Sequence, residues 1–199
     1  MMLTPDYFDR LYASNEDPWG FRERWYEQRK RDLTLAVLPR PHYASVFEPG
    51  CSIGELSVML AQRCDSLFSC DVSEAAVDSA RKHLANYAHA RVEKRSIVEG
   101  WPDDSFDLIV VSELGYYFDA KDLRLLIKRA VASLGPGGTL LACHWRPGVD
   151  DYPLSGDQVH EHFNRFVELP RLLRHEENDF LLELWSHNPR SVAQTEGLV

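Results

Sequence analysis

The stretch Val46-Phe-Glu-Pro-Gly-Cys-Ser-Ile-Gly-Glu-Leu-Ser57 constrains this chain more than any other. Tyr43 to Phe47 is short and rich in aromatic and branched residues, the pattern of a buried parallel strand. Pro49 and Gly50 stop that strand, and Gly54 opens an amphipathic run from Leu56 to Arg63 that reads as helix. A strand, a turn of small residues and a helix make the first crevice of a doubly wound sheet, where such folds bind nucleotides.

The spacing of the turn argues for the sign of the ligand. A dinucleotide fingerprint needs G-x-G-x-x-G, which brings backbone amides and a helix N-terminus to a pyrophosphate. Here the register is Gly50-x-Ser52-x-Gly54, with Glu55 at the sixth position and Glu48 just before the turn. Two acids repel phosphate and suit a cationic ligand without one. S-adenosylmethionine, a nucleoside with a sulfonium and an amino-acid end, meets that description. The plainer alternative is an ordinary tight turn flanked by solvated acids.

Along the chain, Pro5 to Tyr12 is amphipathic, and Asn15 to Phe21 carries Asp17-Pro18-Trp19, which breaks a helix. Trp19 beside Gly20 reads either as a lid over a ligand or as a hydrophobic anchor. Trp25 to Leu38 reads as a helix ended by Pro39 and Pro41, with Trp25, Tyr26, Arg29 and Leu33 on one face. That stripe is either core packing or a way to bring Arg29 to a ligand carboxylate. A second strand, Ser66 to Asp71, ends in an acid 21 residues beyond Gly50, near the ~20 expected for the acid that binds ribose hydroxyls. Val72 follows it, and Ser73 is placed to cap the helix Glu74 to Leu84.

Ala90 to Ser96 alternates as a sheet-edge strand, and Phe106 to Ser112 is apolar enough to be central. Glu113, Tyr116 and Tyr117 follow its carboxyl end, where open α/β sheets meet their ligands. Asp119 caps a helix to Leu134, and Thr139 to Trp145 forms the next strand, bringing His144 and Trp145 to the same edge. His144 reads equally as structural or as a site residue. The loop from Arg146 to Gly156 is long enough to hint at binding. Asp157 to Phe163 reads as a short helix, with His160 and His162 on different faces, so no metal site is expected. Arg165 to His175 and Phe180 to Trp185 form a closing hairpin, and residues 188–199 read as a frayed tail.

The expected fold is α/β: a Rossmann-like, doubly wound, seven-stranded, mostly parallel sheet with an antiparallel last strand. It is a single domain at 42–187, with an N-terminal helical arm or lid at 1–41 and a flexible tail at 188–199. The formal net charge is −9 across 199 residues, and basic residues never cluster alone, which disfavours a nucleic-acid backbone. No apolar run reaches the ~18 residues of a membrane span, and the N-terminus lacks a leader's basic and apolar regions. Cys51, Cys64, Cys70 and Cys143 have no C-x-x-C spacing, so a reducing cytoplasm is the expected setting.

These motifs together resemble the class I S-adenosylmethionine-dependent methyltransferases. The family's acid-x-Gly-x-Gly-x-Gly is matched by Glu48-x-Gly50-x-Ser52-x-Gly54, its ribose acid by Asp71, its fourth-strand entry by Phe106-Asp107-Leu108, and its Pro-Gly-Gly turn by Pro136-Gly137-Gly138. An Asp that often holds the adenine amino group is replaced by Ser96. The resemblance implies a cofactor site made of Glu48, Gly50, Cys51, Ser52, Gly54, Asp71, Val72, Ser96, Ile97 and Ser112, to which the readings of Trp19 as a lid and Arg29 as a carboxylate partner add two residues from the arm. More narrowly, Asp17-Pro18-Trp19, Glu27-Gln28-Arg29 and Glu113-Leu-Gly-Tyr-Tyr117 are similar to the nodulation protein S (NodS) branch. That branch N-methylates the free amine of a partly deacetylated chitooligosaccharide, which implies a small amino-sugar acceptor as a class. Glu113 is then expected to orient the amine with His144 as its helper, and Tyr116, Tyr117 and Trp145 to contact the sugar. O-methylation on the same fold and a non-catalytic nucleotide-binding module or NAD(P) enzyme are the alternatives. Oligomeric state is open.

Overall fold

A computed structural model describes residues 3–199 of the chain. Seven strands run β1 (Tyr43–Pro49), β2 (Cys64–Asp71), β3 (Ala90–Lys94), β4 (Phe106–Ser112), β5 (Leu134–Trp145), β6 (Arg171–Glu176) and β7 (Phe180–Ser186). They form one sheet in the order β3-β2-β1-β4-β5-β7-β6. β1 to β5 pair in parallel, while β7 inserts antiparallel between β5 and β6. This is the expected doubly wound sheet, and the strand order reverses between β1 and β4. Ligands bind at the carboxyl ends beside such a switch point.

The helices are α1 (Pro5–Ser14), α2 (Trp25–Ala36), α3 (Glu55–Ala61), α4 (Glu74–His83), α5 (Ala120–Ala132), α6 (Gly156–Phe166) and α7 (Val192–Thr195). In β4, Leu108 and Val110 join one core with Leu35, Leu60 and Val77. Ile109 and Val111 join the other with Leu123, Ile127 and Phe163. Both faces of the strand are therefore covered, which is why its sequence is apolar throughout instead of alternating.

Three local readings are corrected. α2 ends at Ala36, ahead of Leu38. Ser73 occupies the N-cap of α4 but its side chain makes no cap bond; Asp71 instead accepts from the Ser73 amide at 3.0 Å. The tail is not all frayed, because Ser191 and Gln194 form a capping box on α7. Among the described residues, no helix is long and apolar enough to cross a membrane.

The Asp107 of the fourth strand earns its place mechanically. Its carboxylate accepts from the Ala44 and Ser45 amides at 3.0 and 2.8 Å and meets Arg40 at 3.4 Å. It thus pins the start of β1 beside β4. Asp107→Ala is expected to lower stability by about 2–3 kcal/mol in urea unfolding, and an unchanged midpoint would show that the pin is dispensable.

Candidate active site

The turn after β1 owes its shape to its small residues. Gly50 has φ +74°, and a Cβ there would meet Leu114 at 2.8 Å. Gly54 has φ +88°, and its Cβ would sit 2.9 Å from the Cα of Ala80. A side chain at either position is strained and crowded at once. Ser52, between them, also takes a left-handed conformation, with φ 50°. Asp71 at the end of β2 fastens the turn, accepting from the Ser52 amide at 2.9 Å through one oxygen while the other takes the Ser73 amide. Burial pushes its carboxyl up, and the amides of Ser73 and Ser52 pull it back. Each oxygen keeps a lone pair for a further donor.

Above this turn lies a cavity of about 510 Å³, within the range that small-molecule sites occupy. Gly50, Ser52, Asp71, Val72, Ser96 and Ile97 line it, and so does Trp19 of the arm, which also packs against Tyr12 and Ile53. Tyr12 of α1 bonds the Ser52 hydroxyl at 2.5 Å and packs edge-on against Trp19, so the arm is tied to the turn it covers. Burial, with Asp71 nearby, raises the Tyr12 hydroxyl well above the ordinary tyrosine value, so it stays protonated.

At the other end of the cavity is a buried cluster of charge. Lys30 donates to Glu113 at 2.8 Å and lies 3.0 Å from Glu27, with the ring of Tyr26 beneath it at 4.9 Å. Burial alone would push the Lys30 ammonium down, but Glu113 and Glu27 outweigh it and hold the group above the usual lysine value. Glu113 has φ 53°, a conformation that costs a residue with a Cβ roughly 1–2 kcal/mol. Three donors hold it: Lys30 on one oxygen, and on the other the Tyr116 hydroxyl at 2.5 Å and the Trp145 amide at 3.1 Å. Such a network over-determines the strained conformation and holds it in place. Tyr116, Tyr117 and Trp145 line this end with Tyr152, whose ring stacks on Tyr116.

Several expected site residues stand elsewhere. Glu48 is fully enclosed, accepting from Ser57 and Ser69, and burial pushes its carboxyl up to about 7. Glu55 faces outward to Arg22 and His83. The two acids that suggested a cationic ligand therefore do not touch the cavity; Asp71, Glu27 and Glu113 do. Cys51 and Gly54 shape the turn from behind, and Ser112 stays in the sheet opposite Cys143. Arg29 is occupied by a two-pronged pair with Glu177 at 2.7 and 2.9 Å, outside the cavity lining.

His144 is likewise a correction. It is wholly buried, and its Nε2 accepts the Gly115 amide at 3.0 Å. Its Nδ1–H then faces His160 Nε2 at 3.2 Å, and His160 Nδ1 faces Glu183 at 2.7 Å. This chain anchors the 3-10 turn Gly115–Tyr117, and neither histidine is among the residues that line the cavity. Conversely, Glu27, Lys30, Tyr12 and Tyr152 were not expected at the site. The spacing of Glu27 and Lys30, three apart on a helix, was the available signal.

Sheet order, glycine turn and strand-end acid together define the class I S-adenosylmethionine-dependent methyltransferase architecture. Within it, residues 7–150 match the model of the nodulation protein S (NodS) family, and the chain belongs to that family. It is 30% identical over 128 residues to the nodulation protein S of Rhizobium tropici, covering 63% of this chain and 54% of that protein. The chain spans 54% to 61% of the length of three such curated relatives. A Pseudomonas syringae structure assigned to the methyltransferases is 53% identical, with TM-score 0.73, over 82% of this chain and 99% of that one. The N-methyltransferase NodS of Bradyrhizobium japonicum, solved with S-adenosyl-L-homocysteine, is 25% identical with TM-score 0.81, over 93% and 98% of the two chains.

Burial, then His160 and Lys30, push His144 well below its ordinary 6.5. Below that pH the unfolded chain binds a proton that the folded His144 refuses, so stability falls as pH drops. The wild type is expected to lose up to about 1.4 kcal/mol more than His144→Gln between pH 7.5 and 5.5 in matched unfolding experiments. Glu48 titrates in both proteins and cancels; parallel pH curves would contradict the enclosed neutral histidine.

Proposed function

We propose that this chain is an S-adenosylmethionine-dependent N-methyltransferase acting on the free amine of a small acceptor, an amino sugar or deacetylated chitooligosaccharide. The observation that carries the reading is the ion-paired triad at the inner end of the cavity: Glu27 and Glu113 share the one ammonium of Lys30, which leaves the triad with a formal excess of one negative charge. A protonated amine completes that cluster to neutrality. A carboxylate acceptor is the reading that Lys30 itself would favour, but both of its acidic partners stand in the way.

At the opposite end, Asp71 is the group for ribose hydroxyls, and Ser96, Ile97 and Val98 flank the place for a base ring. With Ser96 where relatives of this fold often have Asp, base recognition rests more on backbone. Bound there, S-adenosylmethionine supplies a methyl group made electrophilic by its sulfonium. Tyr12 and Trp19 exclude water from above, and Tyr117 and Trp145 form apolar walls suited to a sugar face. Glu113, fixed by three donors, holds Lys30 and the Tyr116 hydroxyl in register with the acceptor. Positioning of this sort supplies about 7–11 kcal/mol of a displacement barrier when the geometry is near attack.

Incubation with S-adenosylmethionine and matched deacetylated and acetylated chitooligosaccharides is expected to add one CH2 to the deacetylated series alone, read by mass spectrometry. Methylation confined to hydroxyl or carboxylate acceptors would overturn the amine reading. Absence of thermal stabilisation by S-adenosylhomocysteine would overturn the cofactor.

A further inference from the structure

We infer that Glu27, not Glu113, is the group that receives the proton of the acceptor amine, and that Lys30 positions it. The inference rests on the amine reading above. Both carboxylates line the cavity, but their surroundings differ in kind. Glu113 has its oxygens committed to Lys30, the Tyr116 hydroxyl and the Trp145 amide. Three of its roughly four lone-pair sites are taken, and a proton arriving at the remaining one lands on the oxygen that Lys30 holds and weakens that bond to a buried ammonium, which is costly. Glu27 has one partner among the described residues, Lys30, which lies 3.0 and 3.2 Å from its two oxygens. A carboxylate offers about four lone-pair sites, so Glu27 keeps free ones on a wall that faces the cavity. Beside it, the Tyr26 hydroxyl is buried with no partner among the described residues, a second polar group waiting for one.

The chemistry needs such a group. An amine arrives mostly as ammonium and has no lone pair until it gives up a proton. Transfer of that proton to the Glu27 carboxylate frees the nitrogen pair. The N–CH3 bond then forms as the S–CH3 bond breaks, and the bonding electrons pass to sulfur. The product leaves as a secondary ammonium with S-adenosylhomocysteine, and Glu27 releases its proton to water. Throughout, the Lys30–Glu113 pair stays intact and neutral, so only Glu27 changes charge.

The groups around Glu27 are Tyr26, Lys30 and Arg31 of α2, Glu113 after β4, Cys143 of β5, and Arg24 and Asp179 at the rim. Burial raises the Glu27 carboxyl above its ordinary value, Lys30 draws it back, and Glu113 pushes it up again. A carboxyl so placed is a better match for an amine's proton than an exposed one.

The test is the pH profile of kcat/KM with a glucosamine oligomer, for the wild type, Glu27→Gln and Glu27→Asp. In the wild type the profile is expected to be level from the ionisation of Glu27 up to that of the amine, because the ammonium form is the one used. Glu27→Gln must wait for free amine, so it is expected to fall about 100-fold at neutral pH and to climb about tenfold per pH unit. S-adenosylhomocysteine binding by calorimetry should be unchanged, which reports folding, and Glu27→Asp should restore a level profile at a lower height. A structural role would lower every pH point alike, and that parallel shift would overturn the inference. If Glu27→Gln does not fold, a wild-type profile that itself climbs about tenfold per pH unit across neutral pH would overturn it. A wild type that methylates no amine sinks the amine reading and takes this inference with it, a result distinct from an active wild type matched by its variant.

Discussion

The ion pair between Lys30 and Glu113 is the joint on which the site depends. It bolts α2, a helix outside the sheet, to the residue that leaves the central strand β4. Lys30 is 6% exposed at its side chain and Glu113 15%, so both charges have been taken mostly out of water. Such a pair adds little to net stability relative to an apolar substitute, whereas losing one partner is expensive. Its worth here is geometric. The same contact keeps Glu113 in its left-handed conformation and sets the Tyr116 hydroxyl and the Trp145 amide around it.

The second joint lies across the cavity. Asp71 holds the glycine turn from below, and Tyr12 grips Ser52 of that turn from above. The arm is thereby anchored at two places, through Tyr12 beside the glycine turn and through Lys30 beside Glu113. Asp17 keeps the intervening segment folded by accepting from the Phe21 and Arg22 amides at 2.8 and 3.0 Å. An arm fixed at both ends is part of the cavity wall, and Tyr12, Trp19, Glu27 and Lys30 line it together.

The sheet was legible because its signals are local. An apolar run such as Phe106 to Ser112 has few alternatives, and the 21-residue interval from Gly50 to Asp71 reflects a fixed crossover geometry. The charged end of the cavity was less so. Apolar spacing put Trp25, Tyr26, Arg29 and Leu33 on one face of α2; Tyr26 and Leu33 do pack against the core, yet Trp25 is 67% exposed, and the residues buried from α2 are Glu27, Lys30, Thr34 and Leu35. A buried face made of charged residues carries no hydrophobic signal, and only its partner on another strand explains it. His144 failed for the opposite reason: its position at a strand's ligand end was read correctly, but its ring turns inward to His160. Strand register gives the edge at which a residue leaves the sheet, and the packing of α6 decides which way its side chain points.

The most direct measurement of the central joint is a double-mutant cycle on stability with Lys30→Met and Glu113→Gln. Lys30→Met is expected to cost about 3–5 kcal/mol, because it leaves both Glu113 and Glu27 without their cation, and Glu113→Gln less, because Lys30 keeps its pair with Glu27. The double variant should cost less than the sum by at least ~1.5 kcal/mol. Additivity to within ~0.5 kcal/mol would contradict the account, since α2 and the β4 loop would then be held independently of one another.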